Sequence, residues 1–266
     1  MKRIVFGIAL SLLLSGGAGC SKEDPSPQPP SLNAAPTTSE AAADASRNAR
    51  LEAAKAHSKV INDEFQDALE PLTFAIENWE PDTEGLYMAY WDRGIAYDGL
   101  GQPKKAIQDF TSAIELEDSA YLYHARAIAY CLAADYHAAL LDCETAYEKL
   151  PAEPYNALLL SQLLSCSPLD ADRDGERALD LASQELDHSP ERMELVACAM
   201  AEAGKFHDAI QLTEMVLEHR EKWSDDSQAH KDAIRLTRSR LEVLRSGKPI
   251  RLSTTPGEWR KPWESF

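Results

Sequence analysis

Two adjacent stretches of this 266-residue sequence decide the fold. Residues 87–119 read YMAYWDRGIAYDGLGQPKKAIQDFTSAIELEDS, and residues 120–153 read AYLYHARAIAYCLAADYHAALLDCETAYEKLPAE. Similar residues coincide along the whole length when the two stretches are aligned 33 positions apart. The matched pairs are Tyr90 and Tyr123, Arg93 and Arg126, Gly94 and Ala127, Tyr97 and Tyr130, Ala106 and Ala139, Asp109 and Asp142, Phe110 and Cys143, and Ala113 and Ala146. Self-similarity at this period indicates a repeated pair of helices.

This pattern resembles the tetratricopeptide repeat (TPR), a pair of antiparallel helices with small and aromatic residues at fixed positions. Small residues let the two helices approach closely, and aromatic residues fill the wider gaps towards the next repeat. Pro151 closes the second stretch, where a proline cannot continue a helix; Asp118 stands at that place in the first. The resemblance implies an all-α fold, a right-handed α-α superhelix (TPR solenoid) of antiparallel helix pairs.

Weaker copies of the pattern flank the two clear ones. An insertion is expected in the loop of the third copy, around Ser167–Gly175. Stacked arrays need a polar cap at their ends, and a long C-terminal helix ended by Gly247 and Pro249 fits that need. The predicted segments are helical repeats over 44–222, with degenerate copies at 46–86, 154–190 and 191–218, a capping helix over 223–247 and a flexible tail over 248–266.

One pair of positions provides an internal check on the alignment. The first two copies hold Arg93 with Asp109 and Arg126 with Asp142, whereas the third holds Leu160 with Leu181 and the fourth Val196 with Leu212. Both members change together from charged to apolar, which indicates contact between the paired helices. We therefore predict a salt bridge within each of the first two copies, partly exposed and contributing about 0.5 kcal/mol.

The N-terminus has the features of an export signal. Lys2 and Arg3 precede an apolar run over 4–14, which is too short to span a membrane, and small residues lead to Cys20. This arrangement resembles a bacterial lipoprotein signal, although Gly17 stands where leucine is usual. The resemblance implies a signal peptide over 1–19 and a lipid on Cys20 after cleavage. Ordinary secretion with a chance cysteine, and an uncleaved anchor, remain alternatives.

A tether is expected between the lipid and the repeats. Residues 20–43 are rich in proline and poor in large apolar side chains, a composition typical of disorder. The lipoprotein resemblance places the protein in the cell envelope, anchored to a membrane. Ser21 follows the cysteine instead of aspartate, which favours the outer membrane, facing the periplasm; inner against outer membrane stays open.

The charge is strongly acidic and unevenly distributed. The chain has 27 Lys and Arg against 44 Asp and Glu, a formal net charge of −17. This balance argues against nucleic acid as a partner, because nucleic-acid binding needs a basic surface. Residues 235–261 are basic: they include Arg235, Arg238, Arg240, Arg245, Lys248, Arg251, Arg260 and Lys261. We weigh two interpretations, a solvated cap and tail or a docking patch for an acidic partner or anionic lipid.

The sequence favours a non-enzymatic protein without a cofactor. It contains no HExxH, GxSxG, GxxxxGK[ST] or GxGxxG motif. The string Asp170, Asp172, Asp174 and Gly175 is a weak calcium candidate, because it matches only the start of a calcium loop. The alternative is a polar loop whose Asp174 caps the following helix.

Four cysteines besides Cys20 occupy helical positions that suit packing. They are Cys131, Cys143, Cys166 and Cys198. An exported protein permits disulfides, and Cys131 with Cys143 is a conceivable pair. Buried free thiols are the favoured interpretation.

The TPR resemblance also implies a concave groove lined by the first helix of each repeat. The carried-over positions predict an apolar, aromatic groove in the first three repeats and an acidic one in the fourth. The predicted protein-binding residues are Met88, Trp91, Ile95, Asp98, Tyr121, His124, Ile128, Tyr155, Leu158 and Glu194. Trp91 stands out among them because tryptophan often anchors interfaces.

These observations lead to one hypothesis of function and two alternatives. The hypothesis is a lipid-anchored adaptor that holds envelope proteins or peptide segments in its groove. A self-assembling structural spacer is the first alternative, which leaves homo-oligomers open. The second is a ligand-binding or enzymatic lipoprotein with a site outside the repeats. The choice of partner and pathway rests on fold-level analogy.

Overall fold

The computed structural model describes residues 38–80, 85–184, 189–223, 225 and 227–256. The expected signal peptide, Cys20, the first part of the tether and the end of the tail lie outside these residues. The α-helices of the described part are α1 Thr38–Ile61, α2 Phe65–Asn78, α3 Leu86–Gly99, α4 Pro103–Leu116, α5 Ala120–Leu132, α6 Tyr136–Lys149, α7 Pro154–Cys166, α8 Gly175–Ala182, α9 Pro190–Glu202, α10 Phe206–Lys222 and α11 Gln228–Arg245.

Successive helices pack against each other in chain order, so the fold is an all-α solenoid. The helices pair as α1–α2, α3–α4, α5–α6, α7–α8 and α9–α10, and α11 packs on α10. First helices of neighbouring pairs also meet, α1 with α3, α3 with α5 and α7 with α9. The predicted fold class is confirmed in this sense: the described residues form an all-α array of stacked helix pairs.

One turn geometry recurs between the paired helices. In four pairs a backbone N–H in the turn donates to the carbonyl five residues earlier, and the residue directly before the donor has positive φ. The donors are Glu64, Gln102, Asp135 and Lys205, their acceptors are Lys59, Tyr97, Tyr130 and Met200, and the positive-φ residues are Asp63, Gly101, Ala134 and Gly204. The pair α7–α8 instead has a longer connection between Cys166 and Gly175, where the sequence predicted an insertion.

The small residues of the repeat lie where two helices come closest. A Cβ atom added at Gly94 would lie 2.6 Å from Cε1 of Phe110, nearer than carbon atoms approach each other. In the next pair the corresponding residues are Ala127 and Cys143, both buried. A smaller partner therefore accompanies the larger residue, which keeps the volume between the helices filled.

Both predicted salt bridges are present, and each has the same geometry. In the first, Arg93 donates from Nε and Nη2 to Asp109, with both N···O distances at 2.8 Å. In the second, Arg126 donates to Asp142 through the same two nitrogens, at 2.7 and 2.8 Å. Each guanidinium lies near the ring of a tyrosine on its own helix, Tyr90 or Tyr123.

Each arginine also reaches the helix pair that precedes its own. Nη1 of Arg93 donates to the hydroxyl of Thr73 on α2, and Nη1 of Arg126 donates to the hydroxyl of Thr111 on α4, both at 3.1 Å. One side chain thus joins three helices. The same contact set links α2, α3 and α4 and then α4, α5 and α6.

The two pairs are more buried than the partly exposed pairs that the sequence predicts. The arginine side chains are each 16% exposed, and the carboxylates are 7% and 9% exposed. Removing one partner from such a pair leaves a charge without compensation in a poorly solvated place. The expected contribution of about 0.5 kcal/mol for an exposed pair therefore underestimates the cost of breaking either one.

Three segment boundaries differ from those predicted. Helix α1 begins at Thr38, so residues 38–43 of the predicted tether are helical. The capping helix begins at Gln228, where the Ser227 side chain accepts the N–H of His230. The start of the predicted flexible tail, residues 248–253, contacts the repeats through the bonds described below. Apolar periodicity located the helices but not their ends, which depend on caps and tertiary contacts.

The arginine–aspartate pair should show strong dependence of one partner on the other. We expect Arg126→Leu to lower the free energy of unfolding by about 2–4 kcal/mol, because Asp142 is left as a buried, uncompensated charge. The double variant Arg126→Leu/Asp142→Leu should recover most of this loss, since Leu160 and Leu181 occupy these places in the α7–α8 pair and are buried. Urea unfolding followed by circular dichroism measures both.

Lys149 provides a control, because its bond to Asp118 in the same region is exposed. Lys149→Ala should cost far less than Arg126→Leu. A double variant as unstable as Arg126→Leu alone would contradict the pairing account.

Candidate functional site

The predicted groove residues of the first two clear repeats lie on α3 and α5. On α3 they follow one helical face, and Met88 is 46% exposed at its start. The others are half-buried: Trp91, Ile95, Asp98, Tyr121, His124 and Ile128. Because α3 and α5 pack side by side, these seven residues form neighbouring stripes, which we call the α3–α5 face.

Part of the α3–α5 face is tied into the structure beneath it. Ile95 packs against two buried clusters, one that contains Leu72 and one that contains Phe110. Ile128 packs against the cluster around Leu159 and Leu163, which we call the central cluster. Nδ1 of His124 lies 2.9 Å from Oδ1 of Asn156 on α7. The most accessible part of the face is therefore the stretch around Met88 and Trp91.

The third repeat contributes much less surface than predicted. Every residue of α7 from Asn156 to Cys166 is buried. Leu158 is 4% exposed and packs with Ala182 and Leu195, and half-buried Tyr155 lies against the same cluster. Leu158 was therefore misplaced as a groove residue. The sequence PYNALLLSQLLSC is apolar on nearly every side, the pattern of a helix covered all round.

Glu194 was also misplaced as a groove residue, because α10 and α11 cover it. It is 5% exposed. Its carboxylate accepts from the hydroxyl of Thr237 and from Nη1 of Arg240, and Nη2 of Arg220 lies 3.7 Å away. The predicted acidic end of the groove is thus neutralised by the chain itself.

The basic α11 is paired with carboxylates of the preceding repeat. Arg238 binds Glu221 and Arg245 binds Glu214, each at 2.7 Å, while Arg240 binds Glu194. The uneven charge seen in the sequence therefore forms an internal contact between an acidic array and its basic cap. This arrangement favours the interpretation of residues 228–245 as a capping helix.

Residues 248–253 run from α11 back over the ends of earlier helices, and we call them the C-terminal strap. The N–H of Leu252 donates to the carbonyl of Cys166 at 2.8 Å. Nη1 of Arg251 lies 2.8 Å from the carboxylate of Glu202. The hydroxyl of Tyr136 donates to the carbonyl of Ser253.

Two side chains of the strap, one on either side of Arg251, pack against apolar clusters. Ile250 packs against the cluster of Ala197, Ala201 and Leu244, and Leu252 packs against the central cluster. The ends of α7 and α9 are thus covered by the strap.

The aspartate string engages separate partners. Asp174 caps α8 by accepting the N–H of Arg177 at 3.0 Å, as the alternative interpretation predicted. Asp170 pairs with Arg173, and Asp172 faces the imidazole of His137 at 2.8 Å. Within the described ranges, no group of three His, Cys, Asp or Glu side chains is placed to hold a metal ion.

The four cysteines are free and buried, which confirms the favoured interpretation. Burial raises the pKa of the Cys131 and Cys143 thiols well above the usual range. Cys166 on α7 faces Cys198 on α9, and the hydrogen bond between them lowers the pKa of Cys166 and raises that of Cys198. Burial that disfavours the thiolate makes Cys131 and Cys143 poor nucleophiles.

An exposed apolar surface on α9 and α10 escaped the sequence analysis. Trp223 is 65% exposed and lies edge-on to His219, with ring centroids 6.1 Å apart. A shallow pocket of about 290 Å³ lies nearby, lined by Pro190, Met193, Met215, Val216, Glu218, His219 and Lys222. Met215 and Trp223 stand outside the repeat pattern, and no other sequence signal pointed to this surface.

The architecture is a solenoid of stacked helix pairs with a basic cap. Comparison with protein-family models finds no match, and comparison with curated proteins finds none either. In the part of the chain that the structure describes, no helix combines the length and the apolar character needed to cross a membrane.

A histidine–aspartate contact involves Asp92, the chain neighbour of Trp91, and ties α1 to α3. Nδ1 of His57 is 3.0 Å from the carboxylate of Asp92, which is buried, whereas the imidazole is 44% exposed. The hydrogen bond to Asp92 raises the pKa of His57 above 6.5. Burial raises the pKa of Asp92 despite the opposing bond from His57. Both groups therefore bind protons more tightly in the folded protein than in the unfolded chain.

This contact should make stability fall as the pH rises. The stabilisation from His57 is complete below pH 6.5 and is lost as the pH rises through its higher folded pKa. We expect the wild type to lose up to about 1 kcal/mol more than His57→Gln between pH 6 and pH 8, a small effect because water screens the half-exposed imidazole. Urea unfolding at several pH values measures this difference.

NMR titration of His57 tests the cause. Its midpoint should lie above 6.5 in the wild type and fall in Asp92→Asn. An unchanged midpoint in that variant would exclude Asp92 as the source of the raised pKa.

Proposed function

We propose that this chain is a non-enzymatic, lipid-anchored TPR adaptor that binds envelope proteins through the α3–α5 face. The observation that carries the proposal is that exposed Met88 and half-buried Trp91 lie on one face, formed by the first helices of two neighbouring pairs. Aromatic and methionine side chains are enriched at protein interfaces. Small-molecule chemistry has no comparable support in the described residues.

The assignment of the helix pairs as TPR units is supported by three features. Gly94 lies against Phe110 at the close approach of two helices. Alanines at the other small positions, such as Ala106, Ala113, Ala139 and Ala146, are fully buried. The turn geometry and the arginine–aspartate contacts recur from one pair to the next.

The lipid anchor is supported by the sequence alone, since Cys20 lies outside the described residues. A short basic start, an apolar run and small residues leading to the cysteine are the features on which the proposal rests. An acyl anchor on Cys20 would hold the solenoid at a membrane without a spanning helix, because each buried methylene contributes about 0.8 kcal/mol. The outer membrane, facing the periplasm, is the favoured location.

Photocrosslinking tests the α3–α5 face directly. Benzoylphenylalanine at Met88 should crosslink a protein partner in the envelope, whereas the same group at Leu141 should not. Leu141 is a matched control because it is also an exposed apolar residue, but it lies on α6, a second helix. Trp91→Ala should reduce crosslinking from Met88 at least ten-fold, because it removes the largest side chain of the face.

Trp223→Ala serves as the control for loss of any exposed tryptophan. Equal crosslinking from Met88 in the wild type and in Trp91→Ala would sink the face as a binding site. Crosslinks only between copies of the chain, together with dimers in size analysis, would favour the structural spacer instead.

Labelling with radioactive palmitate tests the anchor. The wild type should incorporate label and separate into the detergent phase, and Cys20→Ser should do neither, because it lacks the thiol that takes the diacylglycerol. Cys131→Ser is the matched control, since this thiol is buried in the solenoid. Equal labelling of wild type and Cys20→Ser would refute the anchor.

A further inference from the structure

The C-terminal strap contacts the solenoid as an extended peptide contacts a receptor. Its contacts alternate along the chain: Ile250 and Leu252 enter apolar clusters, and Arg251 between them pairs with Glu202. Its backbone bonds to the helices that it covers, through the N–H of Leu252 to the carbonyl of Cys166 and through the carbonyl of Ser253, which accepts from the hydroxyl of Tyr136. Alternating side-chain anchors with main-chain hydrogen bonds are how extended segments are recognised.

The surface beneath the strap suits a positively charged, extended segment. The last carbonyls of a helix lack partners within it and carry partial negative charge. At the end of α7, the carbonyl of Cys166 accepts a strap N–H, and that of Ser165 lies 3.5 Å from the Arg251 guanidinium. The carboxylate of Glu202 lies alongside and also binds Arg173 at 2.8 Å. These groups bind a backbone N–H and a cation, which any extended segment with an apolar–Arg–apolar sequence supplies.

The strap is also loosely built compared with the helices it covers. Ile250 and Leu252 are half-buried and Arg251 is exposed, whereas every residue of α7 from Asn156 onward is buried. It is joined to α11 through Gly247, whose φ of 74° allows the chain to leave the helix sharply. The strap can therefore leave while the helix pairs keep their own core contacts.

We infer that the strap occupies a second peptide-binding surface, and that a partner segment with an apolar–Arg–apolar sequence displaces it. This inference extends the proposed adaptor function, because it names the chemistry of a ligand for the far end of the solenoid. In the absence of such a partner, the strap covers the apolar contacts and satisfies the helix-end carbonyls. Binding is thereby restricted to segments that reproduce its pattern.

Binding of a strap peptide in trans tests the inference on the full mature chain. The probe is a fluorescein-labelled peptide of residues 246–256, SGKPIRLSTTP, followed by fluorescence anisotropy. The variant Ile250→Ser/Leu252→Ser should release the strap and bind the peptide at least ten-fold more tightly than the wild type. Lys248→Ser is the matched control: Lys248 is exposed in the same segment, so this variant should bind like the wild type.

A second peptide tests the role of charge. With glutamate in place of the arginine, the peptide should bind the released variant at least ten-fold more weakly, because the surface presents Glu202 and two carbonyls. Equal binding of the two peptides would overturn the assignment of an apolar–Arg–apolar ligand. A released variant that keeps its helical circular dichroism but binds neither peptide would show that the strap is a structural part only.

Hydrogen exchange on the wild type keeps the test decisive if the double variant does not fold. The amide of Leu252 should exchange at least 100-fold faster than the amides of α7, since a displaceable segment opens without global unfolding. Equal protection would overturn the inference. Dimerisation of the released variant through exchanged straps would assign the surface to a second copy instead of a partner.

These outcomes are separable from those for the adaptor function. Crosslinking from Met88 reports on the α3–α5 face, and the strap peptide reports on the ends of α7 and α9. Loss of either result leaves the other standing.

Discussion

The arginine that joins three helices is the contact on which the order of the solenoid depends. Arg93 and Arg126 each bind an aspartate on the second helix of their own pair and a threonine on the helix before it. A bidentate guanidinium–carboxylate bond fixes both the separation and the rotation of the paired helices, because two parallel N–H···O bonds allow little freedom. The bond to threonine then sets one pair against the preceding one, and apolar packing fills the space that remains.

The same task is performed without charge towards the C-terminal end. In the α7–α8 pair, Leu160 and Leu181 replace the ion pair, and α7 is covered on nearly all sides. Apolar packing gives up directional control but avoids the cost of removing two charges from water. The array therefore changes along its length. The first helix pairs are oriented by ion pairs and expose the α3–α5 face. The later helix pairs are held by apolar burial and are covered by the C-terminal residues of the chain.

Charge has a structural function at the end of the array. The carboxylates of α9 and α10 are matched by arginines of α11 and the C-terminal strap, so that Glu194 and Glu202 are compensated where the array stops. An uncovered terminal repeat would expose the apolar surface that normally packs on its neighbour. The basic cap covers this surface and neutralises its carboxylates, and the strap extends that cover back to Cys166 and Tyr136.

The sequence by itself determined the repeat period, the paired helices, both arginine–aspartate contacts, the inserted loop after α7 and the cap by Asp174. Each depends on residues close in the sequence, or on two copies whose differences compensate each other. Only the tertiary structure decided which groove positions stay accessible. Leu158 and Glu194 occupy the same repeat position as half-buried Trp91 and His124, but segments distant in the sequence cover them, α11 for Glu194 above all. The strap was indistinguishable from a flexible tail in the sequence, because the four consecutive residues Ile, Arg, Leu and Ser are too few to establish a period. Its place is set by helix-end carbonyls and a carboxylate that folding brings together.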